Sequence, residues 1–502
     1  MLSSRLIFPP FANPTFIPSM LMEIQGYMNK RGVLSQPILD LNISLFNDLF
    51  KDSEDVLVLK NQIIYRDHDQ YVEVVSRVIN EWLRWQAKYV ELAREYVCNN
   101  KPEWVVLMQN QLEQCLPLSQ VIGLSLTYHQ RNDVSQFWMT LAIATWIKQI
   151  SPKTIVILGG SLVNHLEPKE ILHLCKSIDM ILLKESEESF VQVIQEKPWS
   201  DIPNAVYRTK KEVLQTCLAD NLLRDLDYLP STEGIVFTSY LTPEPVISLL
   251  IKRGCPWGKC SFCSGHLSYF GHHPNENWDN VQSRLVWLRE NKINYIYWGD
   301  QMLMVAELKK LANLVKRHHP QLKWAFMAMP NASLTLEVLS EIAAAGCSWI
   351  TWGVESGSAK VLQAMNKPVQ PEVARENIIA AYSVGIVSIV LMMYGFPGET
   401  PIDLEESKSF LQSITPYYYD HAFGGYHVTI GSPVYDNPEK FGISLGEVVS
   451  LDADNLSGIR SHLVAYSPFD NAVNLPPEKR ARSIPTMEGM MLSLEYFRPK
   501  SL

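Results

Sequence analysis

Three of the eight cysteines in this 502-residue chain crowd into nine positions, in the run Arg253-Gly254-Cys255-Pro256-Trp257-Gly258-Lys259-Cys260-Ser261-Phe262-Cys263. Thiolates on one tight loop can bind three irons of a 4Fe–4S cube, leaving the fourth iron open to an outside ligand and therefore to chemistry. The same loop also suits zinc, because His266 follows Cys263 by three positions and would complete a closed structural site. The loop alone leaves both readings standing. The other cysteines, Cys98, Cys115, Cys175, Cys217 and Cys347, stand apart along the chain, which does not suggest a disulfide framework.

The cysteine run follows an apolar segment, EPVISLLIKRG (244–254), that opens a series of six. The others are NYIYWGD (294–300), KWAFMAM (323–329), WITWGVE (349–355), VSIVLMMYG (387–395) and HAFGGYHVTI (421–430), most of them separated by helical segments. Six such units predict a partial (βα)6 barrel, with its chemistry at the carboxyl ends of the strands. Earlier in the chain, RLIFPP, the run at 37–41, VIGLSLTY (121–128) and TIVILGG (154–160) alternate with helices near 19–30 and 136–149. That alternation predicts an α/β domain built on a doubly wound parallel sheet.

The expected organisation is a doubly wound domain over residues 1–200 with a helical insert at about 52–97, a linker at 201–240, the barrel over 241–445 and an extension over 446–502. In the insert, Trp82, Trp85 and Tyr89 fall at helical spacing and read as packing residues. Apolar residues make up 47% of the chain and charged residues 19%, a globular composition able to fill more than one core. The net charge of −9 argues against a phosphate-tracking surface, so no nucleic-acid partner is expected. The first twenty residues hold no signal-peptide core and no later run has the length of a membrane span, so the expectation is a cytoplasmic protein with no membrane partner.

The cysteine run resembles the cluster loop of radical S-adenosylmethionine (SAM) enzymes, whose usual form is Cys-x3-Cys-x-aromatic-Cys after the first barrel strand. Phe262 fills the aromatic place, whereas the first gap here is four residues, including Gly258, rather than three. Trp298-Gly299-Asp300 resembles the second-strand motif whose backbone receives the amino group of SAM. Trp352-Gly353-Val354-Glu355-Ser356-Gly357, followed by LQAMNKP, resembles the fourth-strand motif, and Met393 to Thr400, with Gly395, resembles the fifth-strand turn beside the adenine. The resemblance spans about residues 244–435. It implies a 4Fe–4S cluster on Cys255, Cys260 and Cys263, and SAM bound by Phe262, Gly299, Asp300, Glu355, Ser388 and Gly395. SAM cleavage would then give a 5'-deoxyadenosyl radical that takes hydrogen from a substrate.

The first domain resembles the cobalamin-binding module of a large radical SAM subfamily through Phe8-Pro9-Pro10, Asp40-Leu41-Asn42, Gly123 to Leu126, Leu158-Gly159-Gly160 and Lys184 to Glu188. The resemblance implies a Rossmann-like, B12-binding-type domain with Pro10, Ser125, Leu126, Gly159, Gly160, Ser161 and Glu185 around the corrinoid. The function it implies is cobalamin-dependent C-methylation of an unactivated carbon in a small-molecule or peptide substrate, with an electron donor such as flavodoxin or ferredoxin. Radical chemistry without methyl transfer, a zinc-stapled binding protein and an electron-transfer protein are the alternatives. Tyr269, His272, His273, Tyr394, His421 and Tyr426 are candidate neighbours of the substrate, although packing accounts for such aromatics equally well.

The chain lacks the Asp-x-His-x-x-Gly pattern of modules that ligate cobalt with histidine, and neither His129 nor His165 has that context. Electron paramagnetic resonance of the bound Co(II) form should therefore show no superhyperfine splitting from an imidazole nitrogen. Such splitting would contradict the assignment.

Overall fold

The computed structural model describes residues 1–61, 64, 68–127, 133–219, 226–264, 277–429, 431–445 and 463–465. Short apolar runs become buried strands and collect into two sheets. In the first, β1 (Ser4–Phe8), β2 (Gln36–Asp40), β3 (Val121–Ser125), β4 (Ile155–Gly159) and β5 (Met180–Leu182) run parallel in the order β2-β1-β3-β4-β5. The order reverses between β1 and β3, and open sheets of this kind bind ligands beyond the carboxyl ends of the strands at such a switch point.

The helical insert contains the helix His68–Asn99, which packs against the helix Asp133–Ile150. Trp82 on the first of these is buried against Phe11, Phe46 and Phe50, at centroid distances of 4.4, 5.4 and 6.3 Å. Its indole N–H donates to the carbonyl of Ala12, so this aromatic group serves packing.

The segment expected to be a linker belongs instead to the first unit. Residues 205–215 add β6 (Ala205–Arg208) and β7 (Val213–Gln215), both antiparallel, to the edge of the first sheet. Beyond them, the amide of Ser231 donates to Met22 O and that of Leu241 to Pro14 O, while the Ile38 amide donates to Glu233 O. The Tyr240 hydroxyl closes on the buried Asp40 carboxylate at 2.7 Å. Strands of three and four residues carry too little periodicity to read, and this stretch is held largely by backbone bonds that leave no side-chain pattern.

The second sheet follows the six apolar runs: β8 (Val246–Leu249), β9 (Tyr295–Trp298), β10 (Lys323–Ala328), β11 (Cys347–Glu355), β12 (Val387–Tyr394) and β13 (Asp420–Gly425). All are parallel and neighbours in sequence are neighbours in space, which is the wiring of a partial (βα)6 barrel. Of the expected extension only Leu463–Ala465 is described, paired antiparallel with His427–Thr429. Among the described residues no helix is long and apolar enough to cross a membrane.

The two units meet along a buried ionic seam. Arg284, on the helix Trp278–Glu290, is fully buried and forms a bidentate pair with Glu23 of the helix Ser19–Lys30, at 2.7 and 2.8 Å. The same guanidinium donates to Leu250 O at the end of β8 and to Tyr228 O. Arg253, three residues further on, reaches Glu185 at 3.2 Å and Glu187 at 2.5 Å beyond the end of β5. Burial works against the charge on Arg253, but Glu187 and Glu185 outweigh it and hold the guanidinium protonated.

Removing one partner of such a pair strands a buried charge, at a cost of about 3–5 kcal/mol, whereas an apolar replacement of both is far milder. Glu23→Ala should therefore lower stability to urea by about that amount. Glu23→Leu combined with Arg284→Met should lose less than either single change. A double variant as unstable as the sum of the two would refute this account of the seam.

Candidate functional site

The cysteine loop begins where β8 ends, and its base is fixed before the first thiol. Asp300, just beyond β9, is buried and accepts the backbone amides of Ile251 and Lys252 at 3.0 and 2.9 Å. Burial pushes the Asp300 carboxyl up to about 6, against those two amides, which favour the charged form. The side chain expected near SAM is thus committed to the loop, and the Gly299 amide is committed as well, donating to Leu249 O at 2.9 Å. Next to it, Lys252 forms a buried pair with Glu307.

The three thiols form no disulfide and are partly exposed. Burial pushes the Cys260 thiol up to about 11; Lys367 opposes that shift, while Cys263 and Cys255 add to it by like-charge repulsion. The three sulfurs therefore share one stretch of the loop closely enough to feel one another's charge. Among the described residues no three His, Cys, Asp or Glu side chains converge closely enough to hold a single ion. A cube takes one thiolate per iron, so its ligands bracket a space rather than meet at a point, and this donor set fits it. His266 lies outside the described residues, as do Tyr269, His272, His273 and His129.

Glu355 ends β11 after a register shift between Gly353 and Glu355, and it adopts a positive φ of 71°. A non-glycine residue in this region is strained, and the bulge re-aims its side chain at the carboxyl rim. There Glu355 pairs with Lys367 at 2.6 Å, and the Lys367 ammonium also sits 5.6 Å from the Phe262 ring centroid. Phe262, Cys260, Glu355 and Lys367 thus form one cluster. Gly395 follows β12 at the same rim, its amide bound by the buried Glu399 carboxylate.

Ser388 is a correction. It is the second residue of β12, at the amino end of the strand, and its hydroxyl accepts from the Trp352 indole at 2.9 Å. A strand advances roughly 3.3 Å per residue, which puts Ser388 some 20 Å from the carboxyl rim. His421 lies low in β13 for the same reason, paired opposite Val390. Tyr426 is buried against Phe396, whereas Tyr394 stands at the end of β12 beside Phe423.

Along the face of the first sheet, from the middle of β1, β3 and β4 to the carboxyl ends of the strands, lie two adjoining cavities. One is apolar and bordered by Gly123, Ser125, Gly159, Gly160 and Phe190 among others. The other is polar, with Ser125, Gly160, Ser161, Glu185, Glu187 and, from the second unit, Arg253 on its wall. Gly159 leaves real room, since a Cβ there would meet nothing within 3.8 Å. Gly160 is required by the fold itself: its φ is 105°, and a Cβ would lie 2.3 Å from Leu126 O. Leu126 and Pro10 border neither cavity, contrary to expectation. Both are buried, and Leu126 lies behind the wall, with its backbone bound to Gly159 and Leu162.

Residues 249–411 match the family model of the radical SAM superfamily. The second unit contains a radical SAM domain. Over 304 residues the chain is 21% identical to an uncharacterized methyltransferase of Pyrococcus horikoshii, covering 59% of this chain and 64% of that relative. The chain thus spans less than two thirds of that relative's length. Among solved structures it is similar to the radical SAM methyltransferase TsrM of Kitasatospora setae, solved with cobalamin and a 4Fe–4S cluster. The TM-score is 0.62 at 14% identity, over 87% of this chain and 78% of that one. It is also similar to OxsB, a cobalamin-dependent SAM radical enzyme solved with aqua-cobalamin and SAM. Here the TM-score is 0.65 at 14% identity, over 93% of this chain and 64% of that one. At these identities the likeness establishes the α/β architecture of both units.

Sequence reasoning missed the residues that support the radical SAM domain's loop. Arg253 adjoins the cysteine run, and Lys367 lies inside the LQAMNKP segment; the carboxylates that Arg253 meets are distant in sequence, whereas Lys367 meets Glu355 only across the bulge that ends β11. Asp300→Asn should expose this dependence. An amide oxygen accepts from one backbone N–H while its NH2 opposes the other, which leaves a buried donor unsatisfied at a cost of about 1–3 kcal/mol. The expected outcome is a lower urea midpoint together with faster alkylation of Cys255. An unchanged midpoint and rate would show that the loop does not depend on this carboxylate.

Proposed function

We propose that this chain holds a 4Fe–4S cluster through Cys255, Cys260 and Cys263, cleaves SAM reductively beside it, and methylates an unactivated carbon with cobalamin carried by the first unit. The observation that carries the reading is the polar cavity shared by the two units. Its wall combines Ser125, Gly160, Ser161 and Glu185 with Arg253, which stands two residues before Cys255. A ligand on the first sheet's rim would thus lie against the root of the cysteine loop.

The cavities and the room beside Gly159 suit a large ligand approaching backbone. When bound, the cluster supplies the electron for SAM cleavage and the corrinoid a transferable methyl group. The chain's own residues do the positioning. Phe262 and Glu355 would border the space beside the thiols, and Lys367 pairs with Glu355 and balances its charge. The substrate would be a small molecule or a peptide, the reductant a flavodoxin- or ferredoxin-type donor, and the setting the cytoplasm.

The test is anaerobic purification with iron, sulfide and cobalt analysis, followed by turnover with SAM labelled in its methyl group. The expected results are a coloured protein with iron, sulfide and cobalt, formation of 5'-deoxyadenosine, and label in a product. Zinc without iron would sink the whole reading, and cobalt without labelled product would remove methyl transfer alone. Gly159→Ala, whose Cβ would meet nothing within 3.8 Å of the protein, should weaken cobalamin retention about tenfold, equivalent to 1.4 kcal/mol, and leave iron content unchanged.

A further inference from the structure

The gap between Cys255 and Cys260 holds four residues, Pro256, Trp257, Gly258 and Lys259. Each residue in such a gap adds two soft backbone dihedrals between thiols that must present a fixed geometry. Contacts outside the loop can pin it, and those to the gap come from the end of the helix Ala359–Ala364, while the Val434 amide donates to Ser261 O just beyond the gap.

That helix ends with Asn366 in the left-handed conformation, φ 52°. The Asn366 amide returns to Gln363 O and the Lys367 amide to Leu362 O, the two bonds of a Schellman motif, in which asparagine is a common substitute for glycine. The last carbonyls of the helix therefore point outward, and the cysteine loop provides their donors. Ser261 Oγ donates to Ala364 O at 3.3 Å, the Ser261 amide to Met365 O at 2.8 Å, and the Trp257 indole to Asn366 O at 2.9 Å. In return, Asn366 Nδ2 donates to Lys259 O at 2.8 Å. Gly258, at φ 56°, makes the reversal between the two anchored residues. The Lys259 ammonium lies 5.5 Å from the Trp257 ring centroid, closing the small ring of contacts.

We propose that Asn366 and Trp257 are positioning residues for the cluster: a reciprocal clamp that fixes the four-residue gap and so sets where Cys255 and Cys260 present their sulfurs. The inference rests on the reading that these cysteines hold a 4Fe–4S cluster. The clamp's place in the fold also gives it reach. Lys367, next to Asn366, pairs with Glu355 and lies by Cys260, so one helix terminus holds both the loop and the charged pair beside it.

The experiment uses the full chain, purified anaerobically, with Trp257→Phe and Asn366→Gly. Phenylalanine keeps a ring but lacks the indole donor; glycine keeps the left-handed turn but lacks the amide. The readouts are iron release to a chelator, the reduction midpoint of the cluster and its electron paramagnetic resonance line shape, with thermal unfolding as the folding control. One lost hydrogen bond corresponds to roughly fivefold in an equilibrium constant, so each variant should release iron about fivefold faster, with a displaced midpoint. The unfolding transition should stay where it is in the parent.

Parental release and midpoint in both variants would overturn the clamp while leaving the cluster reading intact. A parent chain without iron would instead overturn the cluster reading, and the clamp with it. If Asn366→Gly fails to fold, Trp257→Phe decides, because its indole N–H bonds only to the exposed edge of the turn.

Discussion

Two guanidinium groups buried between the units constrain everything else. A charge removed from water is costly unless it meets opposite charge and hydrogen-bond acceptors, which here reach every side but the Nε of each guanidinium, buried without a hydrogen-bond partner. Arg284 meets that demand with Glu23, Leu250 O and Tyr228 O, and Arg253 with Glu185 and Glu187. Apart from Leu250 O, which follows β8 in the second unit itself, the partners of both lie on the other unit or on the 226–241 stretch that packs along it. Because Arg253 follows β8 and its carboxylates follow β5, satisfying it brings the carboxyl edges of two independent parallel sheets together. Those are the edges at which α/β sheets bind ligands.

The second sheet's rim is then built by carboxylates in unlike roles. Asp300 is buried and accepts two amides, so it works as a fastener for the chain that leads into the cysteines. Glu355 is lifted by a bulge to the rim and balanced by Lys367. Glu399 holds the turn at Gly395 from below. In sequence all three are acidic residues shortly after an apolar run. Their difference lies in what faces them, which is set by register rather than by motif.

This explains what could be read from the sequence and what could not. The six apolar runs became the six strands of the second sheet, and the helix at 19–30 appears within those bounds, because burial on both faces writes long unbroken apolar signals. The Cys255, Cys260 and Cys263 loop declared itself by composition alone. Ser388 was misplaced because motif resemblance gives a strand's identity without the height of each residue along it. The span 201–240 reads as a linker because the strands at 205–215 are short and the hold of residues 231–241 on the first unit is made by backbone groups and by single side chains such as Tyr240. The roles of Arg253 and Asn366 lie in partners far away in the chain, and pairing at that distance leaves no local pattern; Lys367 meets Glu355 only because the bulge before Glu355 turns its side chain, which the sequence does not write.

An apolar seam would have joined the two units as firmly, yet it would not have joined them at one angle. Hydrophobic contact is non-directional and tolerates sliding, whereas a bidentate guanidinium-carboxylate pair such as Arg284 with Glu23 fixes distance and plane together. The cavity bounded by Ser125, Gly160, Glu185 and Arg253 exists only at one relative placement of the sheets, since its wall is drawn from both. Reaction between groups held on separate scaffolds depends steeply on their separation and alignment. A seam of buried ions is therefore suited to this molecule in a way that greasier packing is not: it sets the geometry between the first sheet's cavity and the cysteine loop.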